Sequence, residues 1–378
     1  MSPDGTKAAR WHYGPRAVIE IAGVSAPGRV EIPNPVSFQS FSLGRVKSVV
    51  ALGWAPNSTS LWSVDQAIVK PSSFSITGLR PIKVSASGQI TPLPLLEHAA
   101  GPLDAIQWIG NRGLALAQFG TRGNYYRPEH PDIMPTIAIV DAATGRVRSS
   151  FRADRIPGLP VPADKVNIRI RSATATLLKD GRARSVIEFS GWGEAVKGAK
   201  PNETAVRRHA GARVVWTEGE VPRVLTAAIE GSFGIISPDG STLLVTRRLQ
   251  PLRHGPVREC YGMCTPEPPP TPVEGVLVEN IDIASGRVLW SVAARAAENW
   301  NQARPAISPD GRYAILGIPA KNGREYNGLF DMRDGRIVQA FSLVATGSYD
   351  QAYSFSPDSR HLWITCNNTI VRYRLGGN

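Results

Sequence analysis

Residues 305–341 read PAISPDGRYAILGIPAKNGREYNGLFDMRDGRIVQAF and contain two turn phrases between short apolar runs. The first phrase is SPDG at 308–311, and the second is DMRDGR at 331–336. In both phrases Asp supplies a side-chain acceptor and Gly tolerates a positive φ, while Pro presets φ in the first. The flanking runs, such as 313–316 and 337–341, are apolar or β-branched and show no helical period. This stretch therefore predicts four strands joined by tight turns.

Both phrases recur at a regular distance along the chain. SPDG or SPDS stands at 2–5, 237–240 and 356–359, and the second phrase recurs as DAATGR at 141–146 and DIASGR at 282–287. Ser308 precedes Ser356 by 48 residues, and Asp282 precedes Asp331 by 49. These distances lie near the roughly 40–50 residues of a propeller blade. The repeat predicts an all-β fold, a single β-propeller domain of four-stranded blades over residues 1–378. Seven blades agree best with the chain length, with six and eight as alternatives.

The order of these turn phrases resembles that of bacterial β-propeller repeats of the WD-repeat and Tol-B-like kind. The resemblance is clear over residues 231–375 and weaker before them. It implies a propeller fold. It does not imply one activity, because propellers host many functions.

The net charge of +12 comes from 43 Lys and Arg against 31 Asp and Glu, and a basic surface attracts anionic partners. The basic residues are scattered over most strands and turns, whereas a nucleic-acid surface needs them clustered on one face. We therefore expect no nucleic-acid binding.

The sequence also bears on the compartment. No apolar run approaches the roughly 20 residues of a membrane span, and the first residues lack the apolar core of a signal peptide. The sequence as written predicts a cytoplasmic protein with no transmembrane segment. The chain starts at a turn, with no inner strand before Ser2, and an upstream signal peptide would instead predict a periplasmic or extracellular protein.

Four long connections predict a recognition face. They span 120–135, 191–212, 247–274 and 319–327, and each joins a second strand to a third. Strand alternation places all such connections on one face of a propeller. Connections of this size either bind something or drift neutrally, and we prefer binding. The candidate binding residues are Tyr125, Tyr126, Arg127, Trp192, Arg253 and Arg258, since aromatic and Arg side chains tend to carry interface energy.

The connection at about 247–274 is a Pro-rich insertion. Residues 265–272, TPEPPPTP, favour an extended and stiff segment. Cys260 and Cys264 are separated by three residues, and we expect a local disulfide, which would suit an exported protein. Two free thiols are one alternative, and a metal site completed by His254 is another. No metal and no other cofactor is predicted.

No catalytic residue is predicted. The chain contains no Gly-x-Ser-x-Gly phrase, phosphate-binding loop, His-Glu-x-x-His or dinucleotide fingerprint. A lactonase- or lyase-like enzyme centred on the channel, acting on a small molecule or glycan, remains the alternative, because its His and Glu residues would come from several inner strands. Most His residues here fall outside the predicted inner strands. The sequence favours a non-enzymatic scaffold that binds a protein or peptide through the long-loop face.

Overall fold

The computed structural model describes the strands and most of the short turns of the chain. The described residues are 2, 4, 6–12, 18–23, 28–31, 53–55, 58–68, 77–85, 87–94, 96–98, 101–110, 112–119, 136–159, 169–192, 209–227, 233–248, 276–294, 305–319, 325–341, 351–366 and 369–375. Over these ranges no helix has the length and apolarity that a membrane crossing requires.

The first three sheets come from residues 7–152. The first sheet contains β1 (Lys7–His12), β2 (Val18–Gly23) and β3 (Gly28–Glu31). The second contains β4 (Gly53–Trp54), β5 (Ser60–Ile68), β6 (Thr77–Ser85) and β7 (Ile90–Pro92). The third contains β8 (Glu97–His98), β9 (Gly101–Ile109), β10 (Leu114–Phe119), β11 (Thr136–Asp141) and β12 (Arg146–Arg152). A 3-10 turn at Ala153–Arg155 follows.

The remaining sheets follow in chain order. The fourth contains β13 (Arg169–Leu177), β14 (Ala183–Trp192), β15 (His209–Thr217) and β16 (Arg223–Ala227). The fifth contains β17 (Phe233–Ile236), β18 (Thr242–Arg248), β19 (Val276–Asp282) and β20 (Val288–Ala294). The sixth contains β21 (Ala306–Ile307), β22 (Tyr313–Pro319), β23 (Glu325–Asp331) and β24 (Ile337–Phe341). The seventh contains β25 (Gln351–Phe355), β26 (His361–Cys366) and β27 (Thr369–Arg374).

Every sheet is an antiparallel meander in which neighbouring strands are also consecutive in the chain. The predicted fold class is confirmed: the protein is an all-β propeller of four-stranded antiparallel blades. The third sheet has a short additional strand, β8, at its inner edge, and the described parts of the first and seventh sheets have three strands each. The first strands of successive sheets contact one another, as β9 contacts β13 and β13 contacts β17. These strands therefore form the inner wall of the ring.

The core lies between sheets rather than within one. Side chains alternate across each strand, so β18 sends Leu243 and Val245 toward the fourth sheet and Leu244 toward the sixth. All three are fully buried. Burial on both faces explains why the second and third strands are nearly continuous apolar runs. The outer strands are half-exposed or exposed, as in β24, where Ile337 and Val338 face solvent.

The turn glycines are required by backbone geometry at two clear positions. Gly335, at φ 74°, lies so close to Trp290 that an added Cβ would be 2.5 Å from the indole ring. Gly240, also at φ 74°, would place a Cβ 2.6 Å from Leu178 of the fourth sheet. Positive φ and close packing thus both favour Gly. At these two positions the turn packs against the sheet before it.

Candidate functional site

In the second to sixth sheets, the connections that join β5 to β6, β10 to β11, β14 to β15, β18 to β19 and β22 to β23 leave at one edge, which we call the loop rim. Three of them are long: residues 120–135 join Phe119 to Thr136, residues 193–208 join Trp192 to His209, and residues 249–275 join Arg248 to Val276. These belong to the third, fourth and fifth sheets, whose inner strands contact one another. The long connections therefore start from one continuous sector of the loop rim.

The prediction of a fourth long connection, at 319–327, is wrong. Strands β22 and β23 continue to Pro319 and Glu325, which pair with each other, so only residues 320–324 connect them. Ile318 and Tyr326 pair within this hairpin, and such β-branched and aromatic residues extend a ladder readily. The connection predicted at 191–212 is also shorter than expected. Strands β14 and β15 pair as far as Trp192 and His209, so only residues 193–208 connect them.

Most of the predicted binding residues lie outside the described residues. Tyr125, Tyr126 and Arg127 fall in 120–135, while Arg253 and Arg258 fall in 249–275, together with Cys260 and Cys264. Trp192 is the exception, because its backbone forms the last pair of β14 with β15 at the loop rim. The binding set and the disulfide remain predictions.

The opposite edge, which we call the short-turn rim, carries four copies of one Ser–Asp arrangement. In the sixth sheet the Ser308 hydroxyl donates to the Asp310 carboxylate at 2.6 Å, and the Arg312 N–H donates to the same oxygen at 3.0 Å. The Tyr313 N–H then donates to the Ser308 hydroxyl oxygen at 2.8 Å. The same three bonds, at 2.5–3.0 Å, are made around Asp4, Asp239 and Asp358.

At Asp239 and Asp358 these hydrogen bonds lower the pKa of the turn carboxylate. The Ser356 hydroxyl, followed by the Arg360 N–H, lowers the pKa of Asp358. At Asp239 burial raises the pKa, but the bonds from Ser237 and Ser241 outweigh burial and lower it. Hydrogen bonds to a carboxylate favour ionisation. These acids therefore stabilise the turns in which they lie.

The second turns contain a different acid arrangement. Asp331 is 1% exposed and accepts hydrogen bonds from the Arg333 backbone N–H at 3.0 Å and from its guanidinium at 2.6 Å. The Arg333 side chain lowers the pKa of Asp331 to about 2. In the fifth sheet Ser285 takes this role, since its hydroxyl and N–H lower the pKa of Asp282.

Two serines at the short-turn rim join neighbouring sheets. Ser58 and Ser359 occupy the position that Gly has in the other first turns, with φ 54° and 58°. The Asp4 N–H donates to the Ser58 hydroxyl oxygen at 3.0 Å, and the Asp310 N–H donates to that of Ser359 at 3.1 Å. A positive φ is unfavourable for Ser, and in both places the hydroxyl bonds the turn of the preceding sheet.

Other bonds join the middle sheets along the same rim. The Thr176 hydroxyl donates to the Pro238 carbonyl at 2.8 Å, linking the fourth and fifth sheets. The Trp290 indole N–H donates to the Met332 carbonyl at 2.8 Å, linking the fifth and sixth. These two bonds thus join turns of this rim to strands of the neighbouring sheets.

A buried ion pair, which sequence reasoning missed, lies between the fourth and fifth sheets. Glu188 and Arg213 are directly paired in register, are 3% and 4% exposed, and approach to 3.4 Å. They share a sheet face with Val186 and Val215, which pack on the fifth sheet, but lie nearer the loop rim. The Arg213 guanidinium also donates to the Ala227 carbonyl at 3.1 Å. The sequence signal that could have indicated this ion pair is one acidic and one basic residue, Glu188 and Arg213, each flanked by apolar residues of its strand.

The described side chains of β9, β13, β17, β21 and β25 are uncharged, while those of Asp104, Arg169 and Arg171 on the same strands lie outside the description. The polar ones include Gln107, Ser172 and Ser354, and the Tyr353 hydroxyl donates to the amide oxygen of Asn327. Within the described ranges no three His, Cys, Asp or Glu side chains come together in a way that would hold a metal ion.

Three solved structures show what the chain is similar to. An oligogalacturonate lyase in complex with manganese matches with a TM-score of 0.51 and 13% identity, covering 100% of this chain and 88% of that one. The C-terminal WD40 domain of Sif2 matches at 0.47 and 10%, covering 100% and 94%. TolB from Acinetobacter baumannii matches at 0.42 and 12%, covering 88% and 62%.

No family model matches the sequence, and neither does any curated protein. The structural similarities, at such low identity, show the fold alone. The fold is the β-propeller that the turn phrases indicated, while assignment to bacterial WD-repeat or Tol-B-like repeats stays a prediction.

Proposed function

We infer that this protein is a non-enzymatic β-propeller scaffold that binds a protein or peptide over its loop rim. The observation that carries this proposal is the clustering of the three long connections, 120–135, 193–208 and 249–275, on consecutive sheets. Long connections on a rigid framework are where propellers and other folds place recognition residues. A partner of protein size can contact all three at once.

The contrast with the short-turn rim supports the choice of surface. There the turn carboxylates are bound by Ser hydroxyls and backbone N–H groups, and neighbouring turns are bonded to each other. Polar groups that are already satisfied offer little to a partner. The loop rim instead combines the three connections with Trp192 at the end of β14.

The proposed contact residues are those predicted from the sequence, Tyr125, Tyr126, Arg127, Trp192, Arg253 and Arg258. Aromatic and Arg residues commonly carry most of the binding energy at protein interfaces. The alternative, a lactonase- or lyase-like enzyme, would need acid–base groups or metal ligands on the inner strands.

The test compares two rims on one protein. Partners are captured from native extract by the wild type, by a variant with those six residues changed to Ala, and by a matched control with the exposed Arg146, Arg287 and Arg336 of the short-turn rim changed to Ala. The partner identified with the wild type is then purified and its affinity measured for all three proteins. We expect the six-residue variant alone to lose at least about tenfold in affinity, with an unchanged melting temperature.

Equal losses in both variants would contradict the proposal, as would the absence of any partner together with turnover of a small metabolite or glycan by the purified protein. That second outcome would establish the channel-centred enzyme instead.

A further inference from the structure

The outer edge of β27 differs from the outer edges of other third strands. In the five sheets from the second to the sixth, a fourth strand pairs with the third. Within the described residues, β27 pairs with β26 only. The N–H and C=O groups on its other edge have no strand partner among the described residues, and such groups can pair with a further strand.

The register identifies which backbone groups point outward. The Leu375 N–H donates to the Arg360 carbonyl at 2.8 Å, and hydrogen-bonded pairs alternate along an antiparallel ladder. The N–H and C=O groups of Ile370, Arg372 and Arg374 consequently lie on the outer edge. The sixth sheet shows the same direction. Its residue equivalent to Arg374 is Asp331, and the Asp331 N–H points outward to the fourth strand, β24, where it donates to the Arg336 carbonyl at 2.9 Å.

The side chains at this edge are basic. Arg372 and Arg374 are exposed, and so is Arg360 in the adjoining turn. The Arg372 guanidinium lies 5.5 Å from the centre of the Trp363 ring, which holds it over the sheet. Asp358, the acid of that turn, already accepts bonds from Ser356 and from the Arg360 N–H. No ion pair to the three arginines is made by the residues that the structure describes.

The other face of β27 is apolar and continuous with the sixth sheet. The Tyr373 ring centre lies 4.4 Å from that of Phe341, the last residue of β24. Leu375 is buried in the same cluster. A strand added beside β27 would thus have arginines on one face and an aromatic, apolar surface on the other.

We propose that the outer edge of β27 binds an extended acidic peptide segment of a partner protein as a fourth strand. Main-chain bonds to Ile370, Arg372 and Arg374 hold the segment, which is the β-augmentation mode of peptide recognition. Acidic side chains alternate with apolar ones along it, so that carboxylates face Arg372 and Arg374 while apolar groups lie beside Tyr373. Opposite charges directly across a ladder stabilise the pairing.

The probe is a capped, fluorescein-labelled peptide of six residues in which Glu and Val alternate, and the comparison peptide has Lys in place of Glu. Binding to the full chain is followed by fluorescence anisotropy. The wild type is expected to prefer the Glu peptide. The double variant R372E/R374E is expected to bind it about tenfold or more weakly and to prefer the Lys peptide, because attraction becomes repulsion.

Two further variants separate strand addition from general electrostatics. Ile370→Pro keeps both arginines but removes an outward N–H, a change that an edge strand tolerates, and it is expected to abolish binding of both peptides. R287E/R336E makes the same net charge change on the short-turn rim and is expected to bind the Glu peptide as the wild type does.

Amide hydrogen exchange gives a readout that does not depend on any variant. With the Glu peptide bound, exchange should slow at Ile370, Arg372 and Arg374, whereas Val371 and Tyr373, which already bond β26, should change little. Equal binding of the two peptides by the wild type, equal weakening by R287E/R336E, or unchanged exchange at the three outward amides would each overturn the proposal.

Discussion

The two rims of this propeller use similar residues for different purposes. At the short-turn rim, Asp310 and Asp331 accept hydrogen bonds from groups of their own turns. Toward the loop rim, Glu188 and Arg213 are paired away from solvent between two sheets. Charge at the first rim shapes local turns, whereas charge near the second holds two strands that a long connection separates. The first kind of charge is a local and repeated feature, and the second depends on register.

The largest effect is expected for the buried pair. Arg213→Ala breaks the buried ion pair with Glu188, and breaking such a pair costs roughly 3–5 kcal/mol. Chemical denaturation measures the change in unfolding free energy. The matched control replaces both residues, Glu188→Leu with Arg213→Met, and should be much less destabilised because no lone charge remains. A loss below that of Asp310→Ala would remove the distinction between the rims.

A smaller effect is expected at the first turns. Asp310→Ala removes the acceptor for the Ser308 hydroxyl and the Arg312 N–H, which should lower the unfolding free energy by about 1 kcal/mol. Asp358→Ala should behave alike, and Asp239→Ala should cost at least as much, since Asp239 also accepts from the Ser241 hydroxyl. Arg146→Ala, an exposed position on the same rim, serves as the control. Identical denaturation midpoints in all three Asp variants and the control would refute this prediction.

The pH dependence of stability sharpens the comparison further. Arg333 holds the pKa of Asp331 at about 2, below its ordinary value of 3.8. Because this pKa is depressed, the stabilisation that the charged Asp331 carboxylate gives the folded protein is fully present above pH 3.8. It is lost as the pH falls through about 2. Arg333 is exposed, so solvent screening should keep the loss under about 1 kcal/mol.

The measurement compares the wild type with Asp331→Asn between pH 5 and pH 2. The stability difference between them should shrink across the lower part of this range. A difference that stays constant, or grows as acid is added, would show that the carboxylate charge of Asp331 does not stabilise the turn.

The smallest effect is expected at the serines that join sheets. Ser359→Gly removes the bond from the Asp310 N–H but relieves a positive φ, and these two changes oppose each other. The net change should be within about 0.5 kcal/mol. Ser359→Ala loses the bond and keeps the strain, so thermal melting should show it to be the less stable of the two.

Local features of this fold could be predicted from sequence, because Asp-Gly phrases fix a turn without help from distant residues. The turn around Asp310 is an example. Pairings across sheets could not be predicted: Glu188 and Arg213 meet only through the register of β14 with β15, and Ser58 meets Asp4 only because their sheets are neighbours. The connection at 319–327 was overestimated because Gly and Pro near its ends resembled turn signals, although Pro319 and Glu325 still pair.

The candidate site was predictable in its location but not in its organisation. Counting residues between strands was enough to place the long connections on one face. The sequence could not predict that they start from three neighbouring sheets, because this depends on which strands contact one another in the fold. Trp192 is the one predicted contact whose backbone position is now fixed.

The bonds from Asp310 to Ser359, from Trp290 to Met332 and from Thr176 to Pro238 have a consequence for how the molecule comes apart. Each makes the stability of one blade depend on the blade beside it, which is nearest-neighbour coupling in a repeat array. Losing one blade would expose the turns of the next and lower its free energy of unfolding. Heat or denaturant should therefore melt neighbouring blades together, as a cooperative unit that spreads around the ring from whichever blade opens first.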